Sequence, residues 1–126
     1  MILVENEERY FEFIRELRNH SQVKEGFIQQ EHIPLCQHLS FMEKYGNLYY
    51  ICLVQNNPAG FVGQIDGDIR VAVHPDFQGY GVGTFMINEL MKLHPEAAAR
   101  VKLENEASIK LFERCGFKKK YYILER

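Results

Sequence analysis

The segment that most narrows what this chain can fold into is Val73-His74-Pro75-Asp76-Phe77-Gln78-Gly79-Tyr80-Gly81-Val82-Gly83-Thr84. It is glycine-rich and lies between a strand pattern and a helix pattern. Ile69 to Val73 before it is rich in β-branched residues, and Val82, Met86, Leu90 and Leu93 after it recur at helical spacing. Glycines at such a turn let the backbone bend sharply and let its N–H groups approach a ligand closely. The start of the helix adds unpaired donors and a positive dipole end, so an anion such as pyrophosphate is the natural occupant. Spacing excludes the commoner phosphate binders. There is no G-x-x-x-x-G-K-[ST], and Gly79, Gly81 and Gly83 do not form G-x-G-x-x-G. On this segment alone, a glycine turn that caps a helix without any ligand stays open as an alternative.

The flanking sequence predicts one α/β (α+β) domain over residues 1–126, in the order β-α-α-β-β-β-α-β-α-β. Ile2 to Val4 is a short strand. Tyr10, Phe13, Ile14 and Leu17 make one helical stripe. Pro34 opens a second helix, with Leu35, Leu39 and Met42 on one face and Gly46 at its stop. Leu48–Gln55, Ala59–Ile65 and Ile69–Val73 read as an antiparallel meander, turned at Asn56-Asn57-Pro58 and Asp66-Gly67-Asp68. Beyond the 82–93 helix, Ala98 to Leu103 reads as a strand, with Val101 and Leu103 on one face. Asn105 caps a short helix that Gly116 ends, and Lys118 to Glu125 reads as a final strand. The expected fold is a mixed, mostly antiparallel central sheet flanked by about four helices.

A chain of 126 residues, 46% apolar and 13% aromatic, can fill a single core without disulfides or a structural metal. Its net charge of -2 offers no basic footprint for nucleic acid. No apolar run is long enough to span a bilayer, and the start of the chain does not read as a signal peptide. Cys36, Cys52 and Cys115 form no C-x-x-C pair, so reduced cytoplasmic thiols are expected, with no metal site.

At Gln78, Gly81 and Gly83 the sequence resembles the GNAT superfamily of acetyltransferases, whose signature is Q/R-x-x-G-x-G/A after a V-x-P, here Val73-His74-Pro75. A second block agrees independently: Asn105, Ser108, Leu111, Phe112, Gly116 and Phe117 follow the family's N-x-x-[AS]-x-x-L-[YF]-x-x-x-G-F. The two blocks cover roughly the C-terminal half of the chain.

The resemblance implies acetyl-CoA as acyl donor, no metal, and direct attack of a neutral primary amine on the thioester. Val73 would pair with the pantetheine arm and present its N–H to the thioester carbonyl. Gln78 belongs to the signature, and the N–H groups of Gly79, Tyr80, Gly81, Val82, Gly83 and Thr84 would cradle the pyrophosphate. Asn105 would reach the pantetheine, and Phe112 would lie near the sulfur. A gap between the strand ending at Val73 and the strand ending at Leu103 would open the slot.

Chemistry then asks for a base to free the amine lone pair. Glu104 and His38 are the candidates for it, and Asp66, Asp68 and His74 are further ones. Many family members protonate the departing thiolate with a tyrosine where this chain has Phe112. A thiol pKa of about 8.5 makes the thiolate a tolerable leaving group without one. Cys115, on an apolar stripe, reads as core.

Arg18-Asn19-His20-Ser21-Gln22-Val23 is similar to the R-N-x-x-x-V stretch of family members that acetylate nucleotide-linked amino sugars, which makes such a sugar the expected acceptor. A protein or peptide N-terminal acetyltransferase and a non-catalytic acyl-CoA-binding module are the alternatives. The expected partner is a small-molecule amine, with neither nucleic acid nor membrane, in a monomer or homodimer. Tyr121 and Tyr122 mark a possible dimer edge.

Overall fold

In a computed structural model, residues 1–24 and 31–126 are described. Four strands, β1 (Ile2–Glu5), β2 (Tyr49–Val54), β3 (Asn57–Ile65) and β4 (Asp68–Val73), form one antiparallel sheet in chain order. Among the described residues five α-helices accompany them: α1 (Phe11–Asn19), the single turn α2 (Ser21–Lys24), α3 (Leu35–Tyr45), α4 (Val82–Leu93) and α5 (Glu106–Arg114). The mixed α/β fold expected from the sequence is the fold observed. None of the described helices is long and apolar enough to cross a membrane.

The pleat of the strands sends alternate side chains to two separate cores. Tyr49, Ile51, Phe61 and Ala72 face Ile14 and Leu17 of α1 and Met42 of α3. Cys52, Val62 and Ile69 face Met86, Ile87 and Leu90 of α4 and Phe112 of α5. Helices therefore cover both faces, and β4 is an edge. The meander turns tightly at Gln55-Asn56 and at Asp66-Gly67, all four residues with positive φ, as type I′ hairpins demand. The first of these turns lies one residue earlier than the Asn-Asn-Pro sequence suggests.

Three expectations are corrected. Ala98 to Leu103 is not a strand: one parallel bridge joins Asp68 to Ala98, and Leu103 is 77% exposed. The Ile69 N–H reaches the Ala98 carbonyl at 2.9 Å and the Ala98 N–H reaches Gly67 at 2.8 Å, after which the ladder stops. Lys118 to Glu125 is not a strand either, since it pairs with nothing described and leaves Tyr121, Tyr122 and Leu124 exposed. A parallel partner at a sheet edge is weakly held, and without a neighbour on its far side 98–103 has little to keep it in register. The third correction is the rotation of α3. It starts at Leu35, with Pro34 as its cap, and it buries His38 and Met42 while Leu35 and Leu39 stay about half exposed.

Candidate active site

The stop of the ladder after Ala98 creates the site. In the β3–β4 register His74 pairs with Ala59 through its N–H at 2.8 Å, and the bonding residues of β4 then alternate as Ala72 and Arg70. Ile69, Val71 and Val73 accordingly turn their N–H and C=O groups to the open edge. Ile69 is satisfied by Ala98, whereas no backbone partner is seen for the N–H of Val71 or Val73 among the described residues. A cleft of about 1070 Å³ opens along that edge. It is lined from the α4/α5 side by the glycine loop and from the α1/α3 side by Arg18, Phe41 and Tyr49.

The loop is set by its own residues. His74 Nδ1 accepts from the Asp76 N–H at 3.1 Å, and Pro75 to Phe77 form a single 3-10 turn. Gln78 Nε2 donates to the Val73 carbonyl at 3.4 Å, tying the loop to the strand end. Gly79 and Gly81 have φ of 85° and 80°, a conformation that L side chains rarely adopt. Gly81 caps α4, whose first intrahelical bond is Phe85 N–H to Gly81 O at 3.0 Å. The N–H groups of Val82, Gly83 and Thr84 are thus left as the helix's orphan donors, aimed where an anion would sit. Gly83 has a packing role as well: a Cβ there would lie 3.0 Å from Leu111 of α5. Gln78, Gly79, Gly81, Val82, Gly83 and Thr84 all line the cleft, while Tyr80 is 70% exposed and is not among the lining residues.

The second motif block is a helix stopped at both ends. Asn105 Oδ1 accepts from the Ser108 N–H at 3.2 Å. At the other end Gly116, with φ of 90°, donates to Glu113 at 3.0 Å and Phe117 donates to Phe112 at 3.0 Å, a Schellman closure. The Phe112 and Phe117 rings meet edge to face at 5.1 Å, as that closure favours. These caps hold Asn105 and the buried Phe112 against the cleft. Burial pushes the Cys115 thiol up, consistent with a packing role.

Of the base candidates, Glu104 is exposed and lines the cleft. His38 does not line it. It is wholly buried between α1 and α3, its Nε2 donating to the Phe11 carbonyl at 2.7 Å, and burial holds its pKa below the ordinary histidine value. His38 is therefore withdrawn as a base. Asp68 is engaged by Arg70 at 3.2 Å.

Sequence reasoning missed the aromatic wall on the α1/α3 side. Tyr49 touches Phe41 and Phe61 edge to face, with ring centroids 6.2 and 5.6 Å away. Burial pushes the Tyr49 phenol up, with Arg18 and Arg70 opposing. The three rings come from α3, β2 and β3, and no local spacing announces their meeting. The Arg18-Asn19 pair divides its labour: Asn19 Oδ1 accepts from the Ile33 N–H at 2.8 Å and its Nδ2 donates to the Ile33 carbonyl at 3.0 Å, a clamp on the segment before α3.

The model of the acetyltransferase (GNAT) family matches residues 7–117. The chain belongs to that family. An uncharacterized N-acetyltransferase of Methanocaldococcus jannaschii is 28% identical over a match covering 57% of this chain and 39% of the relative, so the chain spans about two-fifths of that protein. Among solved structures, Vibrio cholerae spermidine N-acetyltransferase in complex with CoA and spermine superposes with a TM-score of 0.81 at 19% identity, covering 99% of this chain and 85% of that one. An aminoglycoside N-acetyltransferase holding a CoA-linked bisubstrate analogue gives 0.72 at 19% identity, covering 99% and 96%. At these identities the likeness establishes the fold that this GNAT domain adopts.

Proposed function

We propose that this GNAT domain transfers the acetyl group of acetyl-CoA to a primary amine, and that the acceptor is a nucleotide-linked amino sugar. The observation that carries the transfer reading is the coincidence, in one cleft, of an open β4 edge at Val73 with a left-handed glycine loop at a helix N-terminus. These residues fit acetyl-CoA. The N–H groups of Val82, Gly83 and Thr84 suit its pyrophosphate, Val71 and Val73 offer edge pairing to its amide-bearing arm, and Asn105 and Phe112 line the far wall. Bound there, it supplies an activated acyl group.

The chain's own residues supply the rest. The Val73 N–H is the donor for charge developing on the acyl oxygen, held in place by the sheet on one side and Gln78 on the other. Glu104, on the cleft wall, is the base for the incoming ammonium, directly or through water. A pantetheine thiolate, with a thiol pKa near 8.5, departs without a tyrosine at position 112.

The sugar-nucleotide reading is supported by the position of the Arg18-Asn19 stretch. One residue lines the acceptor side of the cleft and the next clamps the segment that borders it. The folds superposed above hold small amines, spermine in one and an aminoglycoside analogue in the other. Acetyl-CoA chemistry and the free thiols Cys36, Cys52 and Cys115 agree with a cytoplasmic setting.

Incubation with acetyl-CoA and a panel of UDP- and dTDP-linked amino sugars, peptides and polyamines, read by thiol release, tests both parts. Release confined to peptides or polyamines removes the sugar. Tight acetyl-CoA binding with no release from any amine would reduce the protein to a binding module. In Glu104→Gln, kcat should fall by roughly 10²-fold or more with acetyl-CoA affinity unchanged.

A further inference from the structure

Among the described residues, Arg18 is the one arginine of α1 without a carboxylate partner. Arg15 is paired with Glu12, and just before the helix Arg9 is paired with Glu7. Arg18 instead lays its guanidinium over the Phe41 ring, 4.6 Å from the centroid. Its Nη1 is sealed from water with no acceptor, and among the described residues no hydrogen bond or ion pair reaches it. Glu31 and Glu104 line the same cleft without pairing to it.

The surroundings make the vacancy costly. Arg70 of β4 lines the cleft and binds Asp68 through Nε, and no other hydrogen bond from it is seen among the described residues. Burial pulls the Arg18 pKa down, with Tyr49 opposing and Arg70 adding repulsion. Arg18 is half-buried, and leaving its sealed Nη1 unpaired is unfavourable; an oxyanion entering beside the guanidinium relieves that cost. A planar guanidinium also matches the two oxygens of a carboxylate or phosphate better than any other side chain does.

Position separates this site from the glycine loop. Arg18 stands on the α1/α3 face with Phe41, Tyr49 and Phe61, whereas the helix N-terminus that suits pyrophosphate belongs to α4 on the opposite face. The two meet only at the β4 edge, where transfer is placed.

We infer that Arg18, with Arg70 beside it, is a specificity-determining residue that holds an oxyanion of the acceptor, a carboxylate or phosphate carried beyond the reacting amine. The domain then selects amines that bear a negative group and rejects polycations such as spermidine. This rests on the acetyltransferase reading above and narrows its acceptor. It holds equally for a sugar nucleotide, a sugar phosphate or an amino acid.

The test uses matched acceptors with acetyl-CoA: glucosamine 6-phosphate against glucosamine, alanine against alaninamide, and spermidine. The wild-type kcat/KM should favour the anion-bearing member of at least one pair by roughly ten- to hundredfold, the scale of a charge-assisted hydrogen bond. Which pair responds tells phosphate from carboxylate. In Arg18→Gln that ratio should collapse through KM, with acetyl-CoA affinity unchanged, and Arg18→Lys should restore part of it. Equal rates within every pair, equal losses for both members in Arg18→Gln, or spermidine as the best acceptor would overturn the inference.

If no amine releases thiol, the transfer reading fails, and the anion site is then judged by binding alone. The CoA-saturated wild-type protein should bind inorganic phosphate saturably, and Arg18→Lys should retain more of that binding than Arg18→Gln. Should Arg18→Gln fail to fold, phosphate must compete with the acceptor in the wild type. Absence of any phosphate or carboxylate binding by the CoA-saturated protein sinks the site.

Discussion

The two sides of the cleft are built by different means. On the α4/α5 side the cleft presents backbone groups: left-handed glycines, orphan N–H donors of α4 and the open edge of β4. On the α1/α3 side they are side chains, Arg18, Phe41, Tyr49 and Arg70, drawn from a helix, a second helix and two strands. A backbone site suits a cofactor arm and a pyrophosphate because their amides and oxygens ask for N–H groups in sequence, which one turn supplies. A side-chain site suits a partner that varies between family members, since each wall residue can change without rebuilding the loop.

That contrast breaks most sharply at Gly81. In Gly81→Val a β-branched residue is forced to φ near 80°, at a cost of about 1–3 kcal/mol, though open space surrounds the position. Acetyl-CoA affinity by calorimetry should drop roughly ten- to hundredfold while the protein stays folded. Intact affinity would mean that the loop does not bind through its backbone shape.

Asn19→Ala probes the other side. It removes two hydrogen bonds to Ile33 and should lower urea stability by about 1–3 kcal/mol. KM for the amine should rise severalfold while acetyl-CoA affinity holds. Equal loss for both substrates would deny that the two sides are separable.

His38 gives a pH test that bears on stability and not on turnover. Its folded pKa lies below the unfolded value near 6.5, because the ring is buried and a proton on Nδ1 would meet no acceptor. Its contribution is complete above about pH 6.5 and is lost as pH falls from there toward the lower folded pKa. Urea midpoints should therefore decline over that range in the wild type and less so in His38→Gln. A kcat profile that followed His38 would return it to the mechanism.

The smallest effect is expected from Phe112→Tyr. The ring is nearly buried beside Phe117, so the stability change should stay under about 1.5 kcal/mol, with acetyl-CoA affinity kept. Higher turnover would show that a hydroxyl there can protonate the leaving thiolate. Lost affinity in a folded protein would place Phe112 away from the sulfur.

Much of the backbone-built side was legible in the sequence. Gln78, Gly81 and Gly83 at fixed spacing, and Asn105, Ser108, Gly116 and Phe117 as two helix caps, are local requirements that one stretch of chain must satisfy by itself. The side-chain-built half was not legible. Arg18 could be picked out as a position but not as an unpaired cation, because the meeting of Phe41, Tyr49 and Arg70 depends on how α1 and α3 seat on the sheet. His38 was misplaced for a related reason. Counting only Leu35, Leu39 and Met42 as the apolar stripe of α3 hid the stripe that packs, His38, Phe41, Met42 and Tyr45, which has the same i, i+3, i+4, i+7 spacing with a histidine in it.

The sequence by itself determined the four strands of the meander sheet, the helices α1, α3, α4 and α5, the sharp loop before α4 and the family, since propensity, turn residues and caps act within a few residues of chain. Only the tertiary structure decided that 98–103 leaves the sheet after one bridge and that 118–125 joins no strand among the described residues. Alternating apolar residues make a segment able to extend, but pairing needs a partner with free N–H and C=O groups in register, and that partner lies far away in the chain. The cleft is the consequence: Val71 and Val73 keep their edge N–H groups open because the neighbouring segment turns away after Ala98.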